Sequence, residues 1–166
     1  MLGTNNKENV FLEIYEDLSD SVFRHCYFRL SDREKAKDIV QETFKRFWEC
    51  LEKEKIENTK AFVFKIANNL IIDSYRKKKE ESLDALAEGG FDVKSDDYEA
   101  ILTSVMGREL VSMLDQLSDT YKDLIVMRYI DDLPVYEIAS ITGLSENVIS
   151  VRIHRGLALL RKNNTN

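Results

Sequence analysis

Apolar positions recur along this chain at intervals of three and four residues, which is the period of an amphipathic helix. Three such stretches occupy the first half, at about residues 8–30, 31–53 and 60–79. The second stretch begins with a Ser-x-x-Glu capping box at residues 31–34. We therefore expect three helices packed into one small module, preceded by a frayed segment at residues 1–7.

The second half continues the helical pattern with shorter elements. Apolar spacing predicts a fourth helix over about residues 98–117 and a fifth that Ser118 caps. Farther on, Gly143 suits the left-handed residue that ends a helix, and Ser145 suits the cap of the next one. Two short helices joined by a glycine turn predict a helix-turn-helix. The same arrangement occurs in all-α proteins that never touch DNA, so both interpretations stay open.

The charge distribution changes this picture more than the total charge does. A net charge of −6 argues against a protein that coats DNA by charge alone. However, a basic block at residues 76–79 is followed by a strongly acidic stretch up to residue 99. A second basic group lies near the C-terminus: Arg152, Arg155, Arg161 and Lys162. This order suggests two nucleic-acid contacts that a flexible acidic linker holds apart.

The third helix carries cations and aromatic side chains together. Phe62, Phe64 and Tyr75 share it with Lys65 and a basic last turn. Interleaved aromatics and cations are typical of a platform for single-stranded DNA, on which bases stack. A basic last turn also complements the helix dipole, and the position of Phe62 fits the core better than a platform. The pattern therefore leaves both interpretations open.

The sequence offers little indication of a metal site or of a catalytic site. Cys26 and Cys50 are the only cysteines, and His25 beside Cys26 has no second pair at metal-ligand spacing. The sequence contains no nucleotide-binding glycine loop, no nucleophile elbow and no His-Glu-x-x-His motif. It shows neither a signal peptide nor an apolar run of roughly 18 residues. We expect a cytoplasmic protein that is not an enzyme and that needs no metal or cofactor.

Two sets of motifs resemble bacterial sigma factors of RNA polymerase, and among them the extracytoplasmic-function (ECF) group of the sigma-70 family. The first set is DIVQETF at residues 38–44 and FKIANNLIID at residues 64–73. The second set is YEIA at residues 136–139 and VRIHR at residues 151–155. The resemblance covers about residues 10–162, with both modules in the order that the family has.

The resemblance implies an all-α protein with two small helical domains. It places sigma region 2 in residues 1–79, an acidic flexible linker in residues 80–98 and the helix-turn-helix of sigma region 4 in residues 99–166. It implies an alternative sigma factor that binds core RNA polymerase, directs it to specific promoters and promotes strand opening. The clamp helices and flap of polymerase, promoter DNA in duplex and single-stranded form, and an anti-sigma factor are the partners that it suggests.

The resemblance also assigns roles to residues that match the family's motifs. The residues that match the polymerase-binding surface are Asp38, Gln41, Glu42 and Lys45. Those that match the reader of the minus-ten element are Glu57, Asn58, Thr59, Lys65, Asn69, Asp73 and Arg76. Those that match the reader of the minus-thirty-five element are Arg128, Asn147, Ser150, Val151, Arg152, His154 and Arg155. Residues 147–149 depart from the Gly-Thr-Val that the family often has, so the promoter sequence itself is not implied.

Two other classes of protein remain as alternatives. A dimeric helix-turn-helix regulator that acts without polymerase would explain residues 117–162 but would leave the second and third helices without a role. A protein-interaction module without a DNA role would predict that Arg155→Ala and Asn69→Ala leave function untouched.

Overall fold

The computed structural model describes residues 4–81 and 104–165, without the side chains of residues 4 and 81. The first range contains α1 (Thr4–Leu30), α2 (Arg33–Cys50) and α3 (Thr59–Glu81). The second contains α4 (Val105–Leu114), α5 (Asp119–Ile125), a π-helical turn (Val126–Ile130), α6 (Val135–Thr142) and α7 (Glu146–Asn164). No strand occurs within these ranges, and the expected all-α fold is confirmed. The predicted linker lies outside the described residues, except that residues 80 and 81 continue α3.

Helices α1, α2 and α3 pack around an aromatic core. Phe44, Phe47 and Phe64 are buried, and the ring of Phe11 meets that of Phe44 edge-on, with centroids 6.3 Å apart. Aromatic side chains bury a large area each, which lets a module of this size form a stable core. The predicted three-helix module is therefore confirmed.

Residues 4–7 are helical rather than frayed, contrary to the prediction, because α1 begins at Thr4, and residues 1–3 lie outside the described residues. Lys7 is only 6% exposed, and its ammonium lies 3.9 Å from the centroid of the Trp48 ring. The same ammonium is 3.2 Å from a carboxylate oxygen of Glu52. A cation over an aromatic face with a carboxylate beside it holds this first turn onto α2.

The predicted capping box of α2 is wrong by one residue. The N-cap is Asp32, whose carboxylate accepts a hydrogen bond from Lys35 N at 3.1 Å. Ser31 has a φ of +54°, whereas an N-cap residue is normally extended. The hydroxyl of Ser31 instead donates to Asp115 at 2.7 Å, across to the second half of the chain.

The fourth and fifth helices differ from their predictions at their ends. Helix α4 ends at Leu114 rather than at residue 117, and its predicted start lies outside the described residues. Ser118 holds the N-cap position of α5, but its side chain makes no capping hydrogen bond.

Helices α6 and α7 form the predicted helix-turn-helix. Gly143 has a φ of +76° and ends α6, and its N–H donates to Ala139 O at 2.9 Å. Ser145 caps α7, since its hydroxyl oxygen accepts from Val148 N at 3.2 Å. Three apolar side chains on the inner face of α7 are buried: Ile149, Ile153 and Leu160.

The two halves of the chain contact each other directly. Helix α3 packs against α6, and α1 packs against α5 and the π-helical turn. At the edge of this contact, Asn58 donates to Glu137 at 3.3 Å. The third helix therefore lies beside the first helix of the helix-turn-helix. Within the described ranges, no helix has both the length and the apolarity needed to cross a bilayer.

Candidate polymerase and promoter interfaces

The polar residues predicted on α3 share one side of that helix. Lys65, Asn69 and Arg76 are exposed and Asp73 is half-buried, and their spacings of four, four and three residues keep them on one face. Arg76 forms an ion pair with Asp73. The structure thus brings a carboxylate, an amide and two cations together along about three turns of a solvent-facing surface.

The loop before α3 holds three predicted minus-ten residues, and one of them is already hydrogen-bonded within the chain. Glu57 is exposed and Thr59 is half-buried. Asn58 caps α3 by accepting from Ala61 N at 3.1 Å, while its amide donates to Glu137. Both polar ends of the Asn58 side chain therefore already have partners within the chain.

The aromatic side chains of α3 do not form a stacking platform in this conformation. Phe64 is 1% exposed, and Phe62 packs against Phe47 with ring centroids 6.5 Å apart. The hydroxyl of Tyr75 donates to Asp123 at 3.0 Å, in the second half of the chain. The platform interpretation of these three side chains is wrong, because helical periodicity turns them toward the interior or toward the other half.

The predicted reading face of α7 is exposed along about two turns, opposite the buried apolar stripe. The exposed members of this face are Asn147, Ser150, Val151, His154 and Arg155. Arg152 is half-buried on the same helix. Arg128 lies apart, on the π-helical turn, where a guanidinium nitrogen is 3.9 Å from Asp132. The structure therefore brings six of these seven predicted residues onto one helix.

The predicted polymerase-binding residues lie on one face of α2. Asp38, Gln41 and Lys45 are exposed, and the half-buried Glu42 accepts from Arg46 Nε at 2.9 Å. Gln41 and Lys45 also border a groove of about 490 Å³ between α1 and α2. Its other lining residues are mainly aromatic: Phe11, Tyr15, Val40, Phe44 and Trp48. Sequence reasoning missed this groove, since its two walls come from helices whose relative placement periodicity does not give.

A buried polar cluster lies where the two halves meet, and no local pattern of residues predicted it. Arg29 of α1 has a fully buried side chain that donates to Asp123 at 2.7 Å and to Asn68 at 2.8 Å. Burial would lower the pKa of Arg29, but the nearby Asp123 carboxylate and Tyr75 hydroxyl raise it above its usual value. The guanidinium therefore stays charged inside the protein.

His25 extends the cluster to a second carboxylate. A guanidinium has only donors, so His25 Nε2 accepts from Arg29 at 2.9 Å. The proton then sits on Nδ1, which donates to Asp131, and both side chains of this pair are fully buried. In the part of the chain that the structure describes, no group of three or more possible metal-ligating side chains gathers, around His25 or elsewhere.

Each half of the chain matches the model of a known protein family. Residues 14–81 match the model for sigma-70 region 2, and residues 107–160 match the model for sigma-70 region 4. The ECF RNA polymerase sigma factor SigW of Bacillus subtilis (strain 168) is 31% identical over 166 residues, which cover 93% of this chain and 89% of SigW. This chain belongs to the ECF group of sigma-70 family sigma factors.

A second curated protein is similar to this sigma factor in sequence, and two solved structures are similar to it in fold. The RNA polymerase sigma factor SigV of Bacillus subtilis (strain 168) is 31% identical over 152 residues, covering 87% of this chain and 85% of SigV. The sigma factor RpoE from Bartonella quintana, solved with the anti-sigma factor NepR, superposes with a TM-score of 0.77 at 21% identity, covering 92% of this chain and 94% of RpoE. CnrH, solved with the cytosolic domain of CnrY, gives 0.67 at 22% identity, covering 93% of this chain and 87% of CnrH.

The family and the function that the motifs implied are confirmed. This sigma factor is a subunit of RNA polymerase that directs the enzyme to promoters, and it is not itself an enzyme. Its partners are core RNA polymerase and promoter DNA. The roles of individual residues and the domain boundaries at residues 79 and 98 stay predictions.

Proposed function

We propose that this sigma factor divides promoter selection among three separate helix faces. The outer face of α2 binds polymerase, the polar face of α3 captures the minus-ten element, and the exposed face of α7 reads the minus-thirty-five element. One observation carries this proposal: on each of these helices the predicted residues share a solvent-facing side.

On α3, the residue types suit a base that has left the double helix. The amide of Asn69 offers both donors and an acceptor, and the carboxylate of Asp73 offers acceptors, so together they suit the polar edge of a base. Lys65 and Arg76 flank them and suit the neighbouring phosphates. Strand opening then draws its free energy from the capture of unstacked bases and needs no hydrolysis.

On α7, the exposed face has the dimensions that the major groove admits. Arg155 suits two parallel hydrogen bonds to guanine, while Ser150, Val151 and His154 lie close enough to sense neighbouring base edges. Arg152 and Arg128 are only half-buried, and they suit contacts to the phosphate backbone that fix the register of the helix.

On α2, the charged face of Asp38, Gln41, Glu42 and Lys45 suits the clamp helices of the largest polymerase subunit, and the second half of the chain suits the flap. RpoE and CnrH are solved with NepR and with the cytosolic domain of CnrY, and NepR is an anti-sigma factor. We extend the proposal to an anti-sigma partner for this chain and to a cytoplasmic location, where core polymerase is available.

Run-off transcription tests the proposal most directly. Core polymerase with this chain should yield transcripts from genomic fragments that core polymerase alone does not yield, and start-site mapping should show two shared upstream elements. Variants Asn69→Ala and Arg155→Ala should lose these transcripts. The absence of any new transcript would overturn the proposal, and a palindromic footprint made by the chain without polymerase would favour a dimeric regulator instead.

A further inference from the structure

One apolar side chain lies among the polar side chains on the exposed face of α3. Among the side chains of α3 that the structure describes, Ile72 is the one large apolar group that is exposed, at 46%. It follows Asn69 by three residues and precedes Arg76 by four, and these spacings keep side chains on one face of a helix. The exposed face of α3 therefore presents an isoleucine between an amide and a guanidinium.

The apolar residues just before Ile72 do not share this exposure. Ile71 is fully buried, and Leu70 is half-buried. An apolar side chain contributes to stability mainly through the surface that it removes from water, and isoleucine is a weaker helix former than alanine. Core packing and helix propensity therefore give little reason for an isoleucine at position 72.

The offset between Asn69 and Ile72 is close to the spacing of bases in a strand. A helix rises about 1.5 Å per residue, so these two positions are about 4.5 Å apart along the axis of α3. Successive bases of one strand are about 3.4 Å apart. A base next to the one that Asn69 holds would thus lie opposite Ile72.

The chemistry of isoleucine suits one feature of a base edge. Among the four bases of DNA, thymine alone carries a methyl group, and apolar side chains recognise it by direct contact. Cytosine presents an amino donor in the same groove and has no methyl group, and the side chain of Ile72 offers no acceptor for that donor. A contact with Ile72 would therefore favour thymine over cytosine.

We propose that Ile72 is a specificity-determining residue that recognises the 5-methyl group of a thymine in the minus-ten element, next to the base that Asn69 holds. This role rests on the proposed capture of the minus-ten element by α3. Lys65 and Arg76 hold the strand along the helix through its phosphates, and Ile72 adds a preference for thymine at one position.

Deoxyuridine in place of thymidine tests this role, because the two bases differ only in the 5-methyl group. Core polymerase with this chain transcribes an equal mixture of two promoter templates whose run-off products differ in length. One template carries thymine and the other uracil at a single position, and each thymine of the minus-ten element is replaced in turn. For wild type, one position should reduce the yield from the uracil template about fourfold, the effect expected when one methyl group stays in water.

Ile72→Ala should use the two templates equally at the position where wild type discriminates. Ile72→Val keeps a branched apolar side chain and should retain most of the discrimination. The matched control is Leu12→Ala, which truncates a 53% exposed aliphatic side chain of α1 and should discriminate as wild type does. Circular dichroism confirms that each variant is folded, and the wild-type comparison tests the methyl contact without any variant.

Three results would overturn this role for Ile72. They are a wild type that uses both templates equally at every thymine, a minus-ten element that contains no thymine, and an Ile72→Ala variant that still discriminates. Failure of the proposed function would look different, since wild type would then yield no new transcript from any template.

Discussion

Gly156 of α7 lies so close to Ile125 of α5 that a β-carbon added to Gly156 would come within 2.6 Å of Ile125 Cδ1. The same added atom would lie 3.1 Å from Tyr121 Cβ. Helix α7 thus approaches α5 at a residue without a side chain, and this contact positions the helix to which we assign the minus-thirty-five face.

We expect Gly156→Ala to destabilise the protein by about 1 kcal/mol. Overpacking costs about 1–3 kcal/mol, and the better helix propensity of alanine returns about 1 kcal/mol. Urea unfolding followed by circular dichroism measures the change. Ile125→Val removes the atom in closest approach, so Gly156→Ala should cost less in that background. Equal costs in the two backgrounds would contradict the role of this contact.

Gly143 provides a stability test in which packing plays no part. Its φ is +76°, and nothing lies within 4 Å of an added β-carbon. Gly143→Ala should therefore destabilise the protein by about 1–2 kcal/mol through backbone strain alone. Gly143→Asn should cost less, because asparagine tolerates the left-handed region better. Equal melting temperatures for the alanine variant and wild type would contradict this account.

The neighbouring Asn68 and Asn69 should respond to alanine in opposite ways. Asn68 is 2% exposed and accepts a hydrogen bond from Arg29, so Asn68→Ala should cost about 1–3 kcal/mol of stability. Asn69 is exposed, so Asn69→Ala should leave the melting temperature unchanged but reduce strand opening at the minus-ten element.

Permanganate reactivity of promoter thymines measures strand opening, and co-purification with core polymerase serves as the control for assembly. Normal opening by the Asn69→Ala variant would contradict the role of Asn69 as a base reader. A loss of co-purification would place its role in assembly instead.

Arg155→Ala should weaken promoter use by about 1–3 kcal/mol if Arg155 makes two hydrogen bonds to guanine. Competition transcription on promoters that differ in the minus-thirty-five element measures this loss. The matched control is Arg161→Ala, another exposed arginine of α7 that lies beyond the reading face. Equal losses for the two variants would show that charge alone matters.

Features that depend on neighbouring residues could be predicted from the sequence. Apolar spacing predicted the three-helix module, and the turn chemistry of Gly143 and Ser145 predicted the helix-turn-helix, because each depends on a few consecutive residues. The N-cap of α2 was missed because Ser31 and Asp32 are adjacent and equally suited to capping. Only the left-handed backbone at Ser31 decides between them.

Features that depend on distant residues could not be predicted in this way. Asp123 is 94 positions from Arg29, and Asp131 is 106 positions from His25. Nothing in the local pattern around Arg29 or His25 distinguishes these side chains from solvated ones. The contact between α3 and α6 likewise joins two amphipathic helices whose relative placement the apolar period leaves free.

The two cysteines should differ sharply in reactivity. Cys26 is fully buried and Cys50 is half-buried. Burial raises the pKa of the Cys26 thiol to about 12, although the nearby Arg29 partly opposes this shift. Since the thiolate is the reactive form, Cys26 should stay protonated and inert at neutral pH and should remain so at pH values well below about 12.

A maleimide at about pH 7.5, followed by mass spectrometry of the digested protein, should modify Cys50 first and Cys26 only after unfolding in urea. Cys50→Ser serves as the control, since this variant should take up almost no label while it is folded. Labelling of Cys26 in the folded Cys50→Ser protein at the rate found in urea would contradict the burial of this α1 residue beside His25 and Arg29.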